Sequence, residues 1–424
     1  MKNFKRLTTL LCICILVFGV AACGGKDKKN AEKEGEISLT MWNGFTASDG
    51  EILKEIVKDF NESNDKGITV KMDIMTWANL NEKLPSAISA KSAPDFILLN
   101  YGDFAQYVKN GAVQPLDDFW EVDGVNKEDF SDTAMQLGQI DGGQYFIPMQ
   151  VQGMYLFWNK DLFEAAGLDP ESPPETWDEL VEMAPKLTDT SKNVSGFALP
   201  KEGNPILYNW ILDNGGQLAN NDGTKSAFAS DETLEVLEKI QTMIHDQKVG
   251  PESISGAEVD NLMNAGQLAI EINGPWLNNG LKKNEINYGV KTLPLGSDGK
   301  EQAILDGVGF GIPSSTDSSK KDAIYEFIKF WNTTDIGKKW SLENGFPPYL
   351  KSVSEDQEIK DNEIITELYK QIEYAEPFMP GSYKIPSINN DVINPMIEKV
   401  LAGEDPKKLM DKANEEVNKI LSED

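Results

Sequence analysis

Arginine is almost absent from this chain: Arg6 is the only one in 424 residues, so every other fixed positive charge is a lysine. Arginine's planar fork is the usual clamp for carboxylate and phosphate because it bonds both oxygens at once. A body without it is poorly made to hold anionic solutes, although backbone amides and lysine can still bind phosphate. Histidine is nearly as scarce. His245 is the only one, near the end of a segment striped by Leu234, Leu237, Ile240 and Ile244, where a helix-end charge interaction is the simplest reading. Cys12, Cys14 and Cys23 are the only cysteines, so nothing after residue 23 can form a disulfide framework, a thiolate metal site or a cysteine nucleophile. One histidine and no body thiol exclude most zinc sites. No Asp-rich loop of calcium-binding spacing appears, and Asn220 to Thr224 reads as a hairpin turn. No metal and no cofactor is therefore expected. A formal net charge of -29 sets the surface against nucleic acid and anionic membrane.

What is present begins with a leader. Lys2, Lys5 and Arg6 form a basic tip before the apolar run Leu7 to Val20, the layout of a secretory signal peptide over residues 1–22. The run is about fourteen residues, short of the roughly 20 needed for a permanent membrane span. No later segment is long enough to cross a membrane. Val20-Ala21-Ala22-Cys23 resembles the bacterial lipobox, which implies that Cys23 is acylated and becomes the first residue of the mature protein. The protein would then sit on the outer face of the cell membrane, as in a Gram-positive bacterium. Residues 23–35 are charged, glycine-containing and without large apolar side chains, so they read as an unfolded tether reaching roughly 20 Å.

The body opens with alternating periodicities. Ile37, Leu39 and Met41 alternate with polar neighbours as in a strand, and Ile52, Ile56 and Phe60, with Leu53 and Val57, form a helical stripe behind a capping box at Ser48 to Glu51. Ile68 to Ile74 alternates again, Asn79 to Lys91 reads as a helix containing Pro85, and Pro94 to Asn100 as a strand buried on both faces. This order predicts an α/β fold with a largely parallel sheet and right-handed crossovers. Ligands of such sheets sit beyond the carboxyl ends of the strands. At that edge stand Trp42, Trp77 and Tyr101, with Asn43 and Asn100 beside two of them.

Farther along, "QVQGMYLFWNKDLFEAAGLDPESPPETWDEL", "YNWILDNGGQL", "LAIEINGPW" and "GVGFGIP" each resemble segments of the extracellular sugar-binding lipoproteins of ATP-binding-cassette importers, the maltose-binding-like class. The four motifs run in the family's order and span nearly the whole body. The resemblance implies a two-lobed periplasmic-binding-protein-like fold, each lobe a mostly parallel sheet flanked by helices. Crossing strands would hinge the lobes near Pro148 to Gly153, Gly307 to Pro313 and Pro347 to Leu350. The first lobe would combine 36–148 with 308–346, and the second 152–306 with 350–424. The resemblance further implies a carbohydrate ligand, membrane permease subunits as partners, a monomeric state and no catalysis.

Sugar recognition needs flat apolar faces for C–H surfaces and polar groups for hydroxyls. The platform candidates are Trp42, Trp77, Tyr101, Trp210 and Trp276, with Tyr383 in addition; the polar candidates are Asn43, Asn100, Gln150, Gln152, Asn209, Asn273 and Asp306. Trp120, Trp158, Trp177, Trp331 and Trp340 read as structural. A neutral sugar or short oligosaccharide fits this set better than an anion. Two other classes stay open on the residues alone: a surface lipoprotein with glycosidase activity, since carboxylates are plentiful, and a scaffold or adhesin.

Overall fold

A computed structural model describes residues 36–46, 48–220, 223–296 and 299–423. The leader, Cys23 and the tether up to residue 35 lie outside the described residues. Strand β1 (Ile37–Asn43) turns Leu39, Met41 and Asn43 inward. Helix α1 (Ser48–Ser63) buries Leu53, Ile56, Val57 and Phe60, the stripe expected from 3.6-residue spacing. Strand β2 (Ile68–Ile74) pairs in parallel along the whole of β1. Helix α2 (Trp77–Ser89) starts before the expected Asn79, because the Thr76 hydroxyl accepts from the Asn79 amide at 3.3 Å and caps the turn. Strand β3 (Phe96–Asn100) is buried over its first four residues and runs straight into α3 (Tyr101–Lys109).

Seven further strands complete two sheets: β4 (Ile147–Gln152), β5 (Tyr155–Asn159), β6 (Ser195–Phe197), β7 (Leu268–Asn273), β8 (Tyr288–Lys291), β9 (Ile304–Gly311) and β10 (Glu376–Pro377). The first sheet has the order β10-β9-β3-β1-β2, with β4 also paired to β9; the second has the order β8-β5-β7-β6. Both sheets are mixed: the first is mostly parallel as expected, and the second is mostly antiparallel, which corrects the expectation for that lobe. In the first sheet β9 runs antiparallel to β3 and β4. In the second, β5 runs antiparallel to β7 and β8, and only β6 and β7 are parallel. The cause is connectivity. Right-handed parallel crossovers govern strands joined through a helix within one sheet, whereas β5 and β9 each arrive from the other lobe.

The chain leaves the first sheet through Gly153 and Met154, between β4 and β5, and returns between Lys291 and Ile304. Helices Lys351–Ser354 and Gln357–Lys360 still pack on helix Thr334–Asn344, and helix Glu363–Ile372 then packs on β8. Strand β5 shows how the second lobe closes on both faces: Leu156 and Trp158 enter one hydrophobic cluster, Tyr155 and Phe157 the other, as a period of two requires. Among the described residues no helix is long and apolar enough to cross a membrane.

Candidate ligand-binding cleft

A cavity of about 290 Å³ lies between the two lobes. On the first-lobe side, Asn100 ends β3 and stands at the N-cap of α3 without spending its side chain on a capping bond, and Tyr101 and Asp103 follow in the first turn. The ends of β4 and β9 add Gln152 and Asp306. On the second-lobe side, helix Asn204–Asp213 supplies Asn204, Tyr208 and Asn209, and the segment Ile385 to Asn390 closes the wall.

The polar groups differ in how fully they are used. Asn209 is committed: its amide donates to the Pro205 carbonyl at 2.7 Å and its oxygen accepts from the Ile304 amide at 2.9 Å. The Tyr208 hydroxyl donates to Asn389 at 2.6 Å, and its ring stacks on Phe378 with centroids 4.6 Å apart. Asp306 ends a one-way relay. Trp340 Nε1 donates to Gln150 at 3.1 Å, the Gln150 amide donates to Gln152 at 2.8 Å, and the Gln152 amide donates to Asp306 at 3.3 Å. Such a chain polarises toward its terminal acceptor.

Burial pushes the Asp306 carboxyl up to about 6, against the bonds from Gly307 and Gln152. Burial also raises Asp103, whose oxygen accepts from the Asn81 amide at 2.7 Å. The Tyr101 hydroxyl, buried without a well-formed hydrogen bond and approached by the Gly381 backbone N–H, is raised to about 12 by burial and by the charge of Asp306. Among the described residues, no Lys or His lines the cavity.

Of the residues singled out in the sequence, Asn100, Tyr101, Gln152, Asn209 and Asp306 line this cavity, and Gln150 stands one hydrogen bond behind it. Trp210 is a correction. It is 1% exposed and stacks on Trp177 at 4.5 Å with the rings 12° apart, so it has no face to offer a ligand. Asn43 is fully buried, where its oxygen accepts from the Phe45 amide at 3.2 Å. Asn273 bridges two carboxylates in a separate pocket of about 80 Å³.

Trp42, Trp77 and Trp276 are half-buried and outside the cavity lining. The Trp42 indole N–H donates to Asp73 at 3.1 Å, Trp77 sits edge-on to Phe45 at 5.3 Å, and Trp276 lies flat over Gly274, where a Cβ would meet its ring at 2.0 Å. Tyr383 carries Lys109 Nζ 3.4 Å above its ring centroid, a contact between α3 and the second lobe.

The sequence reading missed Asp103, Met154, Asn204, Tyr208, Phe378, Asn389 and Asn390 among the lining residues. Asp103 had a signal, since it falls in the first turn after the same strand edge that pointed to Asn100. Tyr208 had one too: at 100° per residue, Tyr208 and Asn209 share a face that Trp210 leaves. Asn389 and Asn390 had none, because they sit in a wide helical turn, Ile388–Ile393, that apolar spacing does not reveal. His245 pairs with Glu252 at 2.9 Å away from the cleft.

A family model of bacterial extracellular solute-binding proteins matches residues 55–367. The chain belongs to that family. A solute-binding protein of an ATP-binding-cassette transporter from Thermotoga lettingae, solved with alpha-D-tagatose, superposes with a TM-score of 0.83 at 27% identity, over 91% of this chain and 100% of that one. A substrate-binding protein from Listeria monocytogenes in complex with cycloalternan gives a TM-score of 0.79 at 26% identity, over 91% and 98% of the two chains. The sn-glycerol-3-phosphate-binding periplasmic protein of Brucella abortus is 24% identical over 420 residues, covering 91% of this chain and 94% of that protein. The family and its structural neighbours are binding proteins, not enzymes. The chain is therefore read as a binding protein and not as a glycosidase. Among the described residues no cluster of three or more His, Cys, Asp or Glu side chains is placed to hold a metal.

Proposed function

We propose that this solute-binding protein captures a neutral sugar or short oligosaccharide between its lobes and presents it to a membrane permease. The observation that carries the reading is the composition of the cleft: hydroxyls, amides and carboxylates beside the aromatic side chains of Tyr101, Tyr208 and Phe378, with no cationic side chain among the described lining residues. Sugar hydroxyls donate to carboxylates in charge-assisted bonds, and sugar C–H faces stack on aromatic rings. A face covering about 60 Å² contributes roughly 1.5 kcal/mol. Two such faces on the half-buried Trp42, Trp77 and Trp276, together with hydrogen bonds, support micromolar affinity.

Capture proceeds by closure. Asn100 to Asp103 come from one lobe and Asn204 to Asn209 from the other, so a solute touches both only when the lobes meet, and binding shifts the population toward that form. A second seam between the lobes is drawn together by the Asn279 amide, which reaches Ser48 at 3.3 Å and Asn344 at 3.2 Å. Trp276 directly precedes helix Leu277–Lys283, which carries Asn279, and Trp77 packs on the Gly44 and Phe45 that lead into α1. Their half-open faces, with Trp42, are the proposed platforms for a ligand longer than one ring.

Retention at the membrane would come from lipid on Cys23, since about 0.8 kcal/mol per buried CH₂ makes two acyl chains a lasting anchor. The Cys23→Ala protein is expected in the medium rather than the membrane fraction of a Gram-positive host; full retention in the membrane would remove the anchor. The solute class is tested by a thermal-shift screen with D-tagatose, maltose, maltotriose, mannotriose, cycloalternan and sn-glycerol 3-phosphate. A neutral sugar at 100 times its Kd is expected to stabilise by about 2.7 kcal/mol. Stabilisation by the phosphate alone would overturn the reading.

A further inference from the structure

The two cleft carboxylates are not equivalent to the other polar lining groups. Asp103 comes from the first turn of α3 and Asp306 from the beginning of β9, both on the first-lobe wall, while the second-lobe wall offers uncharged amides and a tyrosine. Each carboxylate has one side-chain donor, Asn81 for Asp103 and Gln152 for Asp306. An ionised carboxylate has about four acceptor sites, so both retain acceptor capacity toward the cavity. The buried Tyr101 hydroxyl between them in the lining has no well-formed bond either. Donors suited to an anion are also present, because the first turn of α3 opens on the same space and a helix N-terminus attracts negative charge.

We propose that Asp103 and Asp306 are the specificity-determining residues of this cleft, accepting hydroxyl hydrogens from neutral solutes and excluding phosphorylated and carboxylated ones. The inference rests on the reading of this cavity as the solute site. An anion entering it would meet two carboxylates in a partly dehydrated space with no lysine among the described lining residues, whereas a hydroxyl would find charge-assisted acceptors. The same fold carries an sn-glycerol-3-phosphate-binding relative, so the fold leaves the solute's charge open and the lining decides it. Specificity of this kind depends on a repulsive element as much as on an attractive one.

The test compares the parent chain with Asp103→Asn, Asp306→Asn and the double variant by calorimetric titration with sn-glycerol 3-phosphate and with the neutral sugars of the screen. Asparagine keeps the size and an acceptor for Asn81 and Gln152, and unliganded melting serves as the folding control. The parent is expected to show no phosphate binding in the millimolar range. The double variant should bind sn-glycerol 3-phosphate at least 10-fold more tightly than the parent while losing 10-fold or more toward the neutral sugar. Should the double variant melt before the titration temperature, Asp306→Asn alone decides. Micromolar phosphate binding by the parent, or variants as blind to phosphate as the parent, would overturn the proposal. A parent that binds no neutral sugar would instead remove the function proposed above, and the phosphate titration of the variants would still decide the role of the carboxylates.

Discussion

Two acid pairs lie on either side of Met154, one in the cleft and one in a smaller pocket of the second lobe, and they are solved differently. In the second-lobe pair, a single Asn273 amide nitrogen donates to Asp260 at 2.7 Å and to Glu271 at 2.6 Å. Glu271 is 2% exposed, and burial, followed by the charge of Asp260, holds it well above the usual carboxylate range. That shift favours its protonated form, which hydrogen-bonds to Asp260, so the two acids partner one another. In the cleft, Asp103 and Asp306 have separate donors. Burial of a carboxyl therefore does not mark a binding site; unfilled acceptor capacity turned toward open space does.

The same contrast separates the tryptophans and gives the largest expected effect. Trp177 donates to Asp213 at 2.9 Å, with Trp210 stacked on it, so everything around Trp210 is satisfied internally. Trp210→Ala should lose about 3 to 5 kcal/mol of stability, read by denaturant unfolding, while the folded remainder binds solute as the parent does. Trp276→Ala, by comparison, should unfold near the parent's midpoint and weaken oligosaccharide binding by roughly 1 to 2 kcal/mol. Reversal of these two outcomes would break the division between interior and cleft.

Asp306 gives the next effect. Its pKa is raised on folding from 3.8 to about 6, so the folded form binds the proton more tightly. Its contribution to stability is fully present below pH 4 and is lost as pH rises through about 6. Asp306→Asn, lacking that titration, should be more stable than the parent at pH 7 by about 1 to 3 kcal/mol and should match it near pH 4. Equal stability at both pH values would show that the carboxyl is well solvated.

The smallest expected effect falls on the second-lobe pair. Glutamine at 271 resembles the protonated acid, so Glu271→Gln should change stability by under about 1 kcal/mol at pH 5. The parent, whose Glu271 is raised on folding, should lose stability as pH climbs above 5, and the variant should lose less. A steeper decline in the variant would contradict the protonated form.

Much of the first lobe was legible because its elements alternate in sequence as they do in space: β1, α1, β2 and α2 each follow a period, β3 is a short apolar run between turn signals, and Asn100 and Tyr101 mark the cleft edge. The second lobe was less so. Leu268 to Asn273 and Tyr155 to Asn159 are buried throughout, Glu271 and Asn273 included, so neither shows the one-sided burial that marks many antiparallel strands. The tryptophan at 210 drew attention that belonged to the tyrosine at 208, since large aromatics suggest platforms while helix register decides which of them faces the cleft. The hydrogen-bonded relay from Trp340 to Asp306 joins residues from far-separated segments, and no local pattern could announce it.

A crystal structure grown with the neutral sugar that stabilises the protein most is the direct test. The ring should occupy the cavity between Tyr101 and Tyr208, with hydroxyls donating to Asp103 and Asp306 and with Trp210 untouched. A sugar bound away from both carboxylates, or a phosphate seated on the first turn of α3 in the unmodified chain, would contradict it.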